Sequence, residues 1–200
     1  MCRWIFRNIF FLVGSILFTL PLAATTYTLV NPSGGNWSDT TIWSPSGYPS
    51  AGDTALIDQP GAVVTVDLSN LILSNLWMGS PSATLRIQGN NVSPGTGTIY
   101  GHLEISQHGT FGLGSSQVLV YGTLSLDNAS AYNVILHGTG VVTGDTSTLG
   151  NITIASGGTV TWTGGALKIY GTNRGTLYGN GTLLLPYVAG LKLHNRGKIV

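Results

Sequence analysis

The sequence predicts an all-β chain wound into a solenoid of stacked parallel coils, because strand-like segments recur at near-regular spacing, glycine is abundant and charge is scarce. Of 200 residues, 29 are glycine and 8% are charged, where a soluble domain ordinarily carries about 25% charge. Glycine costs about 1 kcal/mol relative to alanine inside a helix. With many Thr, Ser and Asn around it, this composition favours turns and short strands. Hydrophobic residues make up 42% of the chain, too many for a disordered one.

The first element is a leader. Arg3 and Arg7 precede the apolar run IFFLVGSILFTLPLA, and Ala23 and Ala24 stand before polar Thr25 and Thr26. Residues 1–24 therefore have the three-part layout of a secretory signal peptide. The run, about 15 residues, is shorter than the roughly 20 that span a bilayer, which favours cleavage over anchoring. No small residue stands three positions before a cut after Ala24, so the cleavage site stays open. The single cysteine, Cys2, falls in this leader. The mature chain then has neither disulfide nor thiolate metal site, and depends on its core and backbone hydrogen bonds.

Residues 25–67 form the second element, an aromatic-rich N-terminal cap. A solenoid's first coil exposes an apolar cross-section and unpaired strand edges. Trp37, Trp43 and Tyr48 have the area to cover them, and Pro45, Pro49 and Pro60 block further strand pairing. The functional alternative for these rings is a sugar-binding platform. Asp53, Asp58 and Asp67, with Asp39 nearby, are the main acidic cluster. A calcium site needs several converging oxygen ligands, and the glycine-rich calcium repeat needs Asp every nine residues. Neither pattern occurs, so Asp53 and Asp67 are expected to close turns by accepting backbone hydrogen bonds, as are Asp127 and Asp145.

Residues 68–200 are read as the coils. From Thr84 onward, segments such as LRIQGN, LEISQHGTF, VLVYGTLSL and ITIASGGTV place apolar side chains two apart, as half-buried strands do. Their first apolar residues, Leu103, Val118, Val134, Ile152, Leu167 and Leu183, are separated by 15, 16, 18, 15 and 16 residues, which suits short coils. Leu103/Ile105/Gly109/Phe111, Ile152/Ile154/Gly158/Val160 and Leu191/Leu193/Gly197/Ile199 share one spacing. Coils stacked about 4.8 Å apart hydrogen-bond strand to strand. Their corners need positive φ, supplied by Gly and by Asn90, Asn128, Asn151, Asn180 and Asn195. Charge is scarce because stacking brings like charges face to face. An antiparallel β-sandwich is the alternative fold, disfavoured by the unequal spacings and by the lack of Asn-Gly hairpin steps other than Asn180-Gly181.

The repeats resemble a right-handed parallel β-helix of the kind found in secreted adhesins and cell-surface proteins. The stretch GGNWSDTTIWSPSGYPSAGDTALIDQPGAVVTVD, residues 34–67, resembles the opening of the G-eight domain, a family of extracellular β-rich modules, and the corresponding segment of large bacterial surface proteins. The landmarks are Trp37, Trp43, Gly47 with Pro49, Gly52-Asp53, Leu56/Ile57 and Val64/Val66/Asp67. The resemblance covers roughly residues 34–112 and implies an extracellular location.

Function is bounded mostly by charge. The formal net charge is +1, and removal of Arg3 and Arg7 with the leader brings it to −1. With no Lys/Arg cluster, nucleic acid is excluded as a partner, and so is a membrane surface once the leader is gone. Polysaccharide lyases and polygalacturonases share the β-helix, but their sites need two or three carboxylates on adjacent coils. Here the coils beyond residue 80 hold only Glu104, Asp127 and Asp145. His108-Gly-Thr and His137-Gly-Thr recur 29 residues apart and could stack on one edge, and they are read as corner residues. No catalytic residue, metal or cofactor is assigned. Asn36, Asn91, Asn128, Asn151 and Asn180 head Asn-x-Ser/Thr sequons. The chain stops at a repeat-like Leu191/Leu193/Gly197/Ile199 without a terminal cap, which predicts the N-terminal part of a longer surface protein or a truncated frame. The expectation is a secreted or cell-surface, non-enzymatic module that binds glycans or matrix proteins. The alternative is a carbohydrate-active module related to polysaccharide- or hyaluronan-processing proteins.

Overall fold

The computed structural model describes residues 23–114, 116–173, 176–189, 193–195 and 198–199. The leader lies outside the described residues except for Ala23 and Ala24, as do Leu191 and Gly197 of the last repeat. The described chain is all β, with parallel strands stacked as a solenoid.

Three sheets make the faces of the solenoid. The first face stacks Thr26–Leu29, Thr54–Leu56, the ends of Asn70–Met78 and Asn91–Ile99, then Val118–Val120, Val134–Leu136 and the end of Thr146–Ile154. The second stacks Gly34–Asn36, Val63–Val66, Thr84–Gln88, His102–Ser106, Thr123–Asp127, Thr139–Thr143 and the start of Thr159–Asn173. The third begins with the first halves of Asn70–Met78 and Asn91–Ile99, followed by Thr110–Phe111, Ser130–Tyr132 and residues 148–150. All these pairings are parallel. Among the described strands the one antiparallel pairing sets Trp43–Ser44 against Thr26–Leu29. This covers the outer edge of the first face, while the parallel pairing of all the other described strands excludes the antiparallel sandwich.

Alternation builds the core. Along Asn70–Met78, Leu71, Leu73, Leu76 and Met78 are buried, whereas Ile72 and Trp77 are exposed. Inward residues stack into columns such as Val64–Leu85–Leu103–Leu124, all buried. Each such side chain contributes about 1.5–3 kcal/mol on burial.

The coil length is more variable than the near-16 spacing implies. Register partners are 21 residues apart at Val63↔Thr84 and His102↔Thr123, 18 at Thr84↔His102, and 16 at Thr123↔Thr139. Val118↔Val134 is a true coil repeat. Leu103 and Val118, however, sit on the second and first faces. Likewise Leu103/Ile105/Gly109/Phe111 turns from the second face to the third, and Ile152/Ile154/Gly158/Val160 from the first to the second. Different corners share one local chemistry, so a local pattern does not name its face.

At those corners Asn128 and Asn151 take positive φ, as expected. Asn90 does not. It donates through Nδ2 to Val66 O at 2.7 Å instead. Asn133, φ 53°, is a further corner residue.

Candidate functional site

The landmark residues of 34–67 are structural groups tied by hydrogen bonds. Trp37 is fully buried and its Nε1 donates to Pro49 O at 2.9 Å, while buried Trp43 donates from Nε1 to Trp37 O at 2.9 Å. Their ring centroids are 4.9 Å apart. Two of the three rings considered as a sugar platform are thus core groups, and only Tyr48 is exposed. Gly47, at φ 139°, lies against the ring of Tyr27, where a β-carbon would come within 3.0 Å. Gly52, at φ 88°, turns the chain into Asp53.

Asp53 ties three segments together. Its Oδ1 accepts from Thr25 N and its Oδ2 from Ser50 N and Oγ, while its carbonyl accepts from Ser74 N. Burial pushes its pKa up, but the bonds from Thr25 and Ser50 outweigh burial and hold it below the ordinary value. Asp67 accepts from Ser38 N and Oγ, joining residues 29 apart. Asp58 accepts from Gly79 N at 3.0 Å. Asp39 accepts from the hydroxyl and amide of Thr41, which lower its pKa. These carboxylates serve as turn and coil ties.

Asp127 and Asp145 meet at one corner through Asn128, whose Nδ2 donates to Asp127 Oδ1 and whose Oδ1 accepts from Asp145 N. Both acids are exposed. Glu104 pairs with Arg86. Among the described residues, no three His, Cys, Asp or Glu side chains gather as a metal site. The two His-Gly-Thr triplets do not stack: His108 sits at the corner between the second and third faces, and His137 at that between the first and second.

The sequon asparagines are engaged to different degrees. Asn36 is exposed on the second face. Asn91 donates from Nδ2 to Asn70 Oδ1, Asn128 makes the corner bonds above, and Asn151 donates to Asn133 Oδ1. Asn180 lies in the strand Thr176–Ala189, its side chain outside the description.

One feature of the edge between the first and second faces was not read from the sequence. Trp77, Tyr100, Tyr121 and His137, all exposed, form a ladder of rings over successive coils. Centroids are 5.8 Å apart for Trp77–Tyr100, 5.0 Å for Tyr100–Tyr121 and 4.6 Å for Tyr121–His137, the last two pairs stacked. Glycine makes the ladder possible. A β-carbon at Gly122 would overlap Gly101 O, and one at Gly138 would overlap Gly122 O, so the chain turns after Tyr121 and His137 only with glycine next in sequence. The signal was an apolar-aromatic-Gly step, at Ile99-Tyr100-Gly101, Val120-Tyr121-Gly122 and Leu136-His137-Gly138. Tyr121 is sandwiched between Tyr100 and His137, so both of its faces are used within the protein. Carbohydrate CH groups stack on open ring faces, and this ladder offers mainly ring edges.

Beside the ladder, His102, Thr123, Thr139 and Thr159 form a polar register row on the second face, which Thr84, buried, begins. The third face carries a parallel row of Asn70, Asn91, Thr110, Ser130 and Thr148. Neighbouring hydroxyls and amides are thereby spaced by one coil, about 4.8 Å. Comparison with family models, with curated proteins and with solved structures returned no match.

Proposed function

We propose that this chain is a secreted or cell-surface, non-enzymatic β-helix that acts as an adhesin-like or scaffold module, holding extracellular glycans or matrix proteins along its faces. The observation that carries the reading is the pair of polar rows, His102–Thr159 and Asn70–Thr148, presented at coil spacing on two faces. Repeated weak contacts along a rigid rod add as avidity without any strong single site. The leader-like residues 1–24 and the resemblance of residues 34–67 to the G-eight domain support an extracellular setting. The carboxylates that fold analogy would make catalytic have structural partners: Glu104 is held by Arg86, and Asp127 by Asn128.

The test is a glycan and matrix-protein array probed with the purified chain and scored for both binding and bond cleavage. Binding without cleavage is expected. Cleavage products would replace the reading with the carbohydrate-active one, and a blank array would leave a spacer.

A further inference from the structure

The third face carries a trough of two adjoining hollows. One, about 310 Å³, lies between the 48–51 loop and the segment 68–72 that leads into the strand Asn70–Met78, with Tyr48, Ser69 and Asn70 in its wall. The other, also about 310 Å³, lies between Ser93 and Leu113. Ile72 is common to both. It is 58% exposed although it sits in mid-strand, and Leu113 and Tyr48 are 56% and 37% exposed. Neither hollow has a lysine, arginine, histidine or carboxylate among its described lining residues.

We infer that this trough binds an uncharged, extended polysaccharide lying along the solenoid axis, a site that rests on the glycan-binding reading above. The chemistry of the lining narrows the occupant. Without a cation, the trough has nothing to offset the desolvation of a nucleic acid or a polyuronate. A peptide strand gains affinity by adding to an open sheet edge, but here the backbone groups of the face are already paired coil to coil through Asn70↔Asn91 and Leu73↔Pro94. A drug-sized molecule would be buried over most of its surface in a closed cavity, whereas both hollows are open. A pyranose has an apolar CH face and a rim of hydroxyls. Ile72, Leu113 and Tyr48 supply apolar surface for the first, and Ser69, Ser93 and Asn70 supply partners for the second. Asn70 is fixed by accepting from Asn91 Nδ2 at 3.0 Å. The coil rise of about 4.8 Å is close to the length of one sugar unit in an extended β-1,4 chain, so successive units stay in phase with successive coils.

The experiment is calorimetric titration of the purified chain with cellotriose, cellohexaose and mannohexaose, with polygalacturonate as the anionic control. The variants are Ile72→Asp, Leu113→Asp and, on the ring ladder, Tyr121→Ala. Affinity is expected to rise at least tenfold from trimer to hexamer of one sugar, as both hollows fill. It should fall at least tenfold in Ile72→Asp and Leu113→Asp and hold within twofold in Tyr121→Ala. Ile72→Ser replaces Ile72→Asp if the latter lowers the melting temperature. Hexamer binding unchanged in both trough variants overturns the site while leaving the glycan-binding reading in place. Failure of the wild type to bind either hexamer overturns the site, and only a blank array in addition removes the broader reading. Preference for polygalacturonate overturns the choice of ligand.

Discussion

Arg86 and Glu104 are register partners on adjacent coils of the second face, and Arg86 Nε donates to Glu104 Oε2 at 2.9 Å. A stacked column makes charge expensive when signs repeat and tolerable when they alternate. Here the column runs Thr65, Arg86, Glu104, Ser125, so each charge has an uncharged neighbour on its other side. The side chains are 39% and 42% exposed, which limits the attraction to about 0.2–1 kcal/mol. Glu104→Lys is expected to lower stability by more than Glu104→Gln, because it sets two cations one coil apart. The exchanged pair, Arg86→Glu with Glu104→Arg, should recover most of the loss. A double-mutant cycle by urea unfolding at low and high salt checks this. An equal effect of Lys and Gln at low salt would refute the stacking account.

The corner glycines separate into two kinds. At Gly122 a β-carbon would run into the carbonyl oxygens of Gly101 and Tyr100, which belong to the coil before. At Gly157 there is open space within 4 Å but φ is +89°. Gly122→Ala must therefore separate two coils, and more than about 4 kcal/mol or outright failure to fold is expected. Gly157→Ala carries only the local backbone penalty, about 1–2 kcal/mol. Melting temperatures of the two variants compare these directly, and similar losses would show that coil-to-coil contact is not what selects glycine at 122.

The two most buried tryptophans among the described residues differ in one hydrogen bond. Trp37 Nε1 donates to Pro49 O, whereas Trp162 Nε1 is buried without a hydrogen-bond partner. Phenylalanine removes the donor at either site and similar ring volume. Only at Trp37 does it also leave a buried carbonyl unpaired. Trp37→Phe is expected to cost about 1–3 kcal/mol more than Trp162→Phe. Chemical denaturation of both variants decides it, and a larger loss at Trp162 would contradict the reading.

How much of this was legible in the sequence follows from which interactions are local. Alternation along Thr84–Gln88 or Thr123–Asp127 reports one face buried and one exposed, a property of each strand alone, and the shortage of charge reports stacking. The identity of a face is not local. Leu103 and Val118 carry the same pattern on different sheets, since every corner is turned by the same Gly and Asn chemistry. The ring ladder was hidden because its aromatic-Gly steps recur at unequal intervals, set by corner loops of different length. Asp53 and Asp67 were recognisable as ties, but their partners, Thr25 and Ser38, lie 28 and 29 residues away. The trough is assembled from the 48–51 loop, the strand at 72 and Leu113, and nothing in any one segment marks it.

Asp53 gives the fold a defined acid sensitivity. Asp53, a residue only 5% exposed, holds the start of the first strand through Thr25 N and the loop through Ser50 with its carboxylate. Burial works against the charged form, yet these bonds leave the folded-state pKa below the ordinary one, while the unfolded chain titrates near about 3.9. A depressed folded pKa means that the unfolded chain takes up the proton first as pH falls. The contribution of Asp53 is therefore complete above the unfolded pKa and is lost as pH drops from about 4 through the folded value. Hydrogen bonds to a charged acceptor are worth about 1.5–3 kcal/mol, so Asp53→Asn should lower stability by about that much at pH 7 and at pH 6. The gap between wild type and variant should narrow at pH 3, where the remaining carboxylates titrate alike in both. Urea midpoints measured at the three pH values test this. A gap that is the same at pH 3 as at pH 7 would mean that Asp53 ties the first coil through geometry alone, without its charge.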